Sequence, residues 1–214
     1  MNQENPAAPT PTAEPRPPRP VLRSVLDDTG IRRALVRIAH EILERNEDAA
    51  GLYLVAIPNG GVPLARQLAR NLGQIAGVEP PVGVLDTTLY RDDLTSTGER
   101  PRLRRTEMPS AVDGCVVVLV DDVVRTGRTI RAAMDALMDF GRPRAVQVVG
   151  LVDRGQRELP IKLDFVGKNL PTGPGESVHL RTPNGEDVGP GTPPDAPLEM
   201  VVVPAASRER GGEA

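Results

Sequence analysis

The sequence predicts an α/β fold with a central parallel sheet and helices packed around it, and three observations carry the prediction. Apolar runs of strand length, Leu52 to Ile57 and Val116 to Val120 among them, alternate with segments of helical periodicity. The run Val116 to Val120 is almost wholly β-branched and has no polar face, as a strand covered on both sides requires. These runs end in loops rich in Gly, Asp and Thr, and open parallel sheets gather their ligands at the carboxyl ends of strands.

The first predicted element is a helix over Gly30 to Asn46. Ile31, Leu35, Ile38 and Ile42 recur at the spacing of one helix face, Ala34, Ala39 and Leu43 widen it, and Asp28 or Thr29 is the expected cap. The opposite face carries Arg33, Arg37, His40 and Glu44, on pattern alone a solvated surface. The strand Leu52 to Ile57 stops at Pro58-Asn59-Gly60-Gly61 and gives way to a helix marked by Val62, Leu64, Ala65, Leu68, Ala69 and Leu72. A third apolar stretch, Val82 to Leu85, leads through Thr88-Leu89-Tyr90-Arg91-Asp92 into Thr95 to Arg105, which has no apolar face and reads as an exposed, mobile loop. Val116 to Val120 ends in Asp121-Asp122 and precedes a helix with Ile130, Ala133, Met134, Leu137 and Met138 on one side, closed by Gly141 and Pro143. Ala145 to Val152 is a second fully buried strand, ending at Asp153-Arg154-Gly155.

Composition sets the boundaries. Of 23 prolines, seven fall in residues 1–20 and eight in 171–214, which marks 1–20 as a disordered Pro-rich leader and 183–214 as a Pro/Gly-rich tail. The apolar run Met200 to Val203 inside that tail offers at most a late edge strand. Residues 21–182 then form one domain of ordinary size. No stretch approaches ~18 apolar residues and the start lacks a basic segment with an apolar core, so a soluble, cytoplasmic protein without membrane association is expected. Cys115, the single cysteine, sits in an apolar run as a small hydrophobe. A formal charge of −3 and four aromatic residues exclude a protein that coats nucleic acid by bulk attraction or by stacked rings, so any RNA site must be a local basic patch. The 24 arginines against two lysines resemble a compositional bias, and each Arg has to be judged by position.

The chemistry concentrates in Val120-Asp121-Asp122-Val123-Val124-Arg125-Thr126-Gly127-Arg128-Thr129. Two carboxylates at a strand end can accept hydrogen bonds from vicinal sugar hydroxyls. The small and hydroxylated residues after them open a helix whose backbone N–H groups suit a phosphate, with Thr126 and Thr129 as further donors. Together they describe a site for a phosphorylated ribose. On spacing alone an acidic helix cap or a Mg2+-binding phosphoryl-transfer pocket stays open, while Walker and GxGxxG patterns are absent.

The stretch Val117 to Thr129, four apolar residues, two acids and a Thr-Gly-x-Thr, resembles the phosphoribosyl pyrophosphate (PRPP) motif of type I phosphoribosyltransferases. With Gly30 to Asn46, Thr88 to Leu94, Leu151 to Ile161 and Gly167 to Thr172, it resembles the PyrR family, which regulates pyrimidine operons and converts uracil and PRPP to UMP and diphosphate; the likeness runs from about Val25 to Leu180. The resemblance implies a type I phosphoribosyltransferase fold, a central parallel sheet of about five strands flanked by helices, with a small hood. It implies that Asp121 and Asp122 are the catalytic carboxylates and hold the ribose hydroxyls, and that Val123, Val124, Arg125, Thr126, Gly127, Arg128 and Thr129 wrap the 5′-phosphate. Asn59 and Gly60 would occupy the diphosphate loop, Tyr90, Arg91, Asp92 and Arg100 a flexible loop closing the site, and Arg154 and Val178 the base contacts. Mg2+ would arrive on PRPP's own oxygens. Arg37, His40, Arg45, Arg157, Lys162 and Lys168 would bind the leader mRNA of a pyrimidine operon when UMP is loaded, in a homodimer or tetramer, and so attenuate transcription.

Three places depart from that family. Its diphosphate loop usually reads Lys-Thr-Arg-Gly, where this chain has Pro58-Asn59-Gly60-Gly61 and so lacks both cations. Weakened transferase activity with UMP binding retained is the expectation, and Pro58→Lys with Gly60→Arg is expected to raise turnover. Val36 and Gln156 replace a hydroxyl residue and a His. A regulator without significant catalysis, or a transferase for another base, are the alternatives, and the tract Asp153 to Lys168 argues against the second.

Overall fold

The computed structural model of the chain describes residues 23–92 and 105–204. The leader, Arg100 and most of the expected mobile loop lie outside the described residues. The first helix, α1 (Asp28–Asn46), begins two residues earlier than its periodicity indicated, because the cap is Asp27, neither Asp28 nor Thr29: the Asp27 carboxylate accepts the Gly30 N–H at 2.7 Å. Strand β2 (Leu52–Ala56) is buried at every residue and runs into helix α2 (Gly61–Ala76), where Pro63 in the first turn has no N–H to waste and Gly77, in the left-handed region, closes the last turn. After the short β3 (Val82–Val84) come β4 (Val116–Val124), α3 (Arg128–Leu137), β5 (Ala145–Asp153) and β6 (Phe165–Asn169).

These strands form one five-stranded sheet in the order β3-β2-β4-β5-β6, each neighbouring pair parallel, as expected of the fold. Alternate residues supply its two cores. Leu54, Ala56, Val118 and Val120 pack with Ile38, Ile42, Leu64 and Leu68 of α1 and α2, whereas Tyr53, Val55, Val117 and Leu119 pack with Ile130, Ala133 and Leu137 of α3. At about 25 cal/mol per Å² of apolar surface, this double burial is the main force holding the domain together. Cys115 is a free, partly buried member of the second core.

A second sheet supplies the hood. Strand β1 (Arg23–Leu26) lies antiparallel to β8 (Glu199–Val203), which in turn lies antiparallel to β7 (Ser177–Arg181). The structure here corrects the reading of residues 183–214 as a tail: Glu199–Val203 is the middle strand of the hood, not an edge, and Met200, Val201 and Val202 are all but inaccessible. Val178, Leu180, Met200 and Val202 extend the core on the α1 and α2 side, which fixes the hood beside the carboxyl ends of β2 and β4.

Candidate active site

The acidic pair does not follow its strand but lies within it. The ladder of β4 with β5 continues past Val120 through Asp121 opposite Gly150 to Val124 opposite Asp153. That pairing fixes the backbone, so the two carboxyls are held rather than carried on a loop. Asp121 is 6 % exposed, and its carboxylate accepts the Asp122 N–H at 3.0 Å; the Asp122 carboxylate accepts the Val123 N–H at 3.0 Å. Burial pushes the Asp121 carboxyl well above the usual carboxylate range, and the neighbouring Asp122 charge pushes it further, while Arg91 at the base of the expected flexible loop pulls it down. Asp122 is also raised by burial, against hydrogen bonds from Asp121 and backbone and the field of His179, which lower it. Two carboxyls held together, one of them protonated more readily than an ordinary Asp, can accept and donate hydrogen bonds to a pair of sugar hydroxyls.

The loop after β2 lies against this pair. Its Pro58-Asn59 peptide bond is cis. A Cβ at Gly60 would stand 2.2 Å from Asp122 Oδ2, and one at Gly61 would stand 2.3 Å from the Val120 carbonyl oxygen. Both glycines are therefore required by close approach of the loop to β4. The same contact bears on the expectation that Gly60→Arg raises turnover, because a side chain there meets the Asp122 carboxylate unless the loop or that carboxylate shifts. Asn59, Gly60, Asp122 and Val123 line one wall of a cavity of about 330 Å³, and the hood lines the other with Val178, His179, Leu180, Asp187 and Val188. His179 and Asp187 escaped the sequence reading because a lone His on a half-buried strand and an Asp in a Pro/Gly-rich stretch carry no local signal.

On the other side of the pair, Gly127 takes φ +92° and opens α3, whose first-turn N–H groups lack intrahelical partners. Thr126 Oγ1 accepts the Arg128 N–H at 3.3 Å, and the Thr126 carbonyl accepts the Glu158 and Leu159 N–H groups. Gly127→Ala meets no closer contact than Ile161 Cβ at 3.4 Å, so its cost is conformational, about 1 to 2 kcal/mol. We expect that variant to melt a few degrees lower and to bind a nucleoside monophosphate less tightly, both read in one thermal-shift titration.

Several side-chain ties surround the turn from β4 into α3. Arg128 bonds Glu158 at 2.7 Å and Asp92 at 2.8 Å, and Arg131 reaches Asp92 at 3.0 Å, so the expected flexible loop is anchored to α3 at its base. Tyr90 hydroxyl donates to Asp139, a bond that raises its pKa. Arg125 Nε donates to Gln156 Oε1 at 3.0 Å, and Gln156 Nε2 donates to the Thr172 carbonyl at 2.9 Å. Arg154, expected at the base, is 8 % exposed and is engaged by protein: it donates to Thr172 Oγ1 at 3.0 and 2.7 Å and to the Glu176 carbonyl at 2.6 Å, with burial and nearby Arg125 lowering its pKa. Val178 lines the cavity, but its side chain belongs to the core.

The six cations expected to meet RNA divide. Arg37 and Arg45 on α1 and Lys168 on β6 share one surface: Arg37 donates to the Val166 and Gly167 carbonyls at 2.9 and 2.8 Å, Arg45 pairs with Asp164 at 2.6 Å over the Phe165 ring, and Lys168 donates to the Val25 carbonyl. His40 and Lys162 are exposed. Arg157 stands apart, bonded to Asp153, the Ile161 carbonyl and the Arg125 carbonyl beside the phosphate loop.

Known proteins with this arrangement are found at two distances. Solved hypoxanthine phosphoribosyltransferases share the fold at low identity: one from Trypanosoma cruzi superposes with TM-score 0.63 at 21 % identity, covering 88 % of this chain and 94 % of its own. A hypoxanthine-guanine enzyme from Leishmania tarentolae, solved with GMP, superposes with TM-score 0.59 at 18 % identity, covering 85 % and 96 %. Bifunctional PyrR proteins are much nearer in sequence. That of Pelotomaculum thermopropionicum is 57 % identical over 157 residues, 73 % of this chain and 87 % of the relative. That of Thermus thermophilus is 57 % identical over 159 residues, covering 73 % and 88 %. With the phosphoribosyl transferase domain matching residues 24–179 as well, the chain belongs to the PyrR family of phosphoribosyl transferases.

Proposed function

We propose that this protein transfers the phosphoribosyl group of PRPP to uracil, giving UMP and diphosphate, and that its UMP-bound form binds the leader mRNA of a pyrimidine operon and attenuates its transcription. The observation that carries the reading is the placement of Asp121 and Asp122 within β4, between the Gly60 loop and the Gly127-capped start of α3. Asp121 and Asp122 hold the ribose hydroxyls; the first-turn N–H groups of α3 and Thr126 take the 5′-phosphate. Asn59 and Gly60 face the diphosphate, and the hood closes over the base, positioned by Arg154 through Thr172 and Glu176. As the uracil nitrogen bonds to the ribose carbon, the bond to diphosphate breaks and the nitrogen's proton passes to the departing diphosphate or to solvent, and closing the site keeps water from the cationic ribose of the transition state.

Mg2+ would enter on PRPP's own oxygens and supply charge neutralisation of the leaving group. Among the described residues no helix is long and apolar enough to cross a membrane. RNA contact falls to the surface of α1 and β6, in a homodimer or tetramer, with His40 and Lys162 the cleanest probes because neither holds the fold together. His40→Ala with Lys162→Ala is expected to weaken leader-RNA binding about tenfold, the equivalent of ~1.4 kcal/mol, while leaving UMP affinity unchanged. Formation of UMP from labelled uracil and PRPP tests the transferase, and RNA binding that ignores UMP would sink the regulator.

A further inference from the structure

The cavity between the Gly60 loop and the hood is lined on the loop side by no cation: Pro58, Asn59, Gly60 and Gly61 are all uncharged. A diphosphate needs positive charge or strong donors. Of the residues lining this cavity, His179 alone can carry a positive charge. Its position is built. On β7 the neighbours Val178 and Leu180 turn into the core, so alternation turns the His179 ring the other way, and it remains exposed. Its Nε2 lies 2.9 Å from Ser177 Oγ, two residues back on the same strand, which holds the ring; its Nδ1 has no protein partner among the described residues. The ring lies close enough to Asp122 that positive charge on it would lower that carboxyl's pKa. Asp122 and Asp187 share the cavity, so a bare anion is disfavoured there and one that brings its own divalent cation is not.

We propose that His179, reaching from the hood, is the group that binds the diphosphate end of PRPP and of the released product, in place of a cation on the loop after β2. The proposal rests on the transferase reading above. It makes the hood, and not the loop, responsible for charge complementarity to the leaving group.

The test is calorimetric binding of Mg2+-diphosphate and, separately, of UMP to the full chain, with steady-state kinetics for PRPP. His179→Gln keeps the hydrogen-bonding reach of the ring but never its charge, and is expected to weaken diphosphate about tenfold and raise KM for PRPP by a like factor, with UMP affinity unchanged. His179→Lys is expected to restore most of the diphosphate affinity. Equal loss of UMP and diphosphate, or no loss of either in His179→Gln, overturns the assignment. Failure of the parent protein to bind UMP at all would instead overturn the transferase reading, so the two failures are distinguishable.

Discussion

Asp121→Asn is expected to bind UMP about 10- to 100-fold more weakly than the parent, the loss that follows removal of a hydrogen-bonding charged group, and yet to be the more stable protein at neutral pH. The two effects share one cause. The Asp121 carboxyl is nearly inaccessible, sits in the middle of a parallel ladder, and faces the carboxyl of Asp122. Burial first, and the neighbouring charge second, raise its pKa well above that of an unfolded chain. A carboxyl raised on folding contributes its full stability below the unfolded range of ~3.9, and that contribution is lost as pH rises through the native value. At neutral pH the fold therefore bears the cost of keeping this carboxyl out of water beside a second one, a cost that Asn removes at nearly constant shape. The gain should be about 0.5 to 2 kcal/mol, a rise of several degrees in Tm, and it should shrink toward zero on acidification. Melting curves from acid to neutral pH, with and without UMP, check both halves: UMP at 100 times its Kd stabilises the parent by ~2.7 kcal/mol and the variant far less. Equal melting temperatures across pH, or undiminished UMP binding, would remove the acidic pair from the ribose site.

Such trade of stability for binding marks the part of the molecule that local sequence describes best. Strands β2, β4 and β5 are buried on both faces, so their apolar runs are legible without knowing what covers them; α1 and α2 show their core stripe for the same reason. The PRPP-like stretch is legible because ribose and phosphate recognition use adjacent residues on one strand, turn and helix. The hood is the converse. Strand β1 pairs with β8 across almost the whole chain, and β7 alternates Val178 and Leu180 with His179 and Arg181 over five residues, too short to register as a period. Nothing local says that Met200–Val203 is a middle strand, since its partners lie far away in sequence. The same distance hides His179 and Asp187, which meet Asp122 only once the hood is folded over the sheet. Arg154 and Arg157 show what a motif does not display: their guanidinium groups are engaged in holding the loop after β5, which no local pattern announces.

The two glycines after β2 should separate binding from folding. Gly61→Ala places its methyl 2.3 Å from the Val120 carbonyl oxygen, which already accepts the Ile57 N–H at 2.9 Å. Neither side can yield cheaply, because Val120 is central in the sheet and Gly61 starts α2 on a fully buried turn. Relief requires the start of α2 to lift from β4, with an expected cost of about 1 to 3 kcal/mol and loss of UMP binding as the site opens. Gly60→Ala collides instead with a side chain: Oδ2, Cγ and Cβ of Asp122 lie 2.2, 2.4 and 2.7 Å from the new methyl. The Asp122 carboxylate can swing aside but its Cβ, on a strand held in its ladder, cannot, so the loop must give as well; the fold is expected to lose stability, less than in Gly61→Ala where the obstacle is a carbonyl, while ribose and diphosphate affinity fall at least tenfold, as ~1.4 kcal/mol per decade requires. Gly60→Arg, which charge alone would favour, should then lower turnover in this chain, because the guanidinium arrives only after Asp122 has been driven from its place. Melting temperature and UMP affinity measured on the three variants decide it: Gly61→Ala lowest in melting temperature, Gly60→Ala and Gly60→Arg lowered chiefly in affinity. A Gly60→Arg protein with faster transfer and unaltered UMP binding would show that the loop can retreat from Asp122, and that its packing against the acidic pair does not limit the reaction.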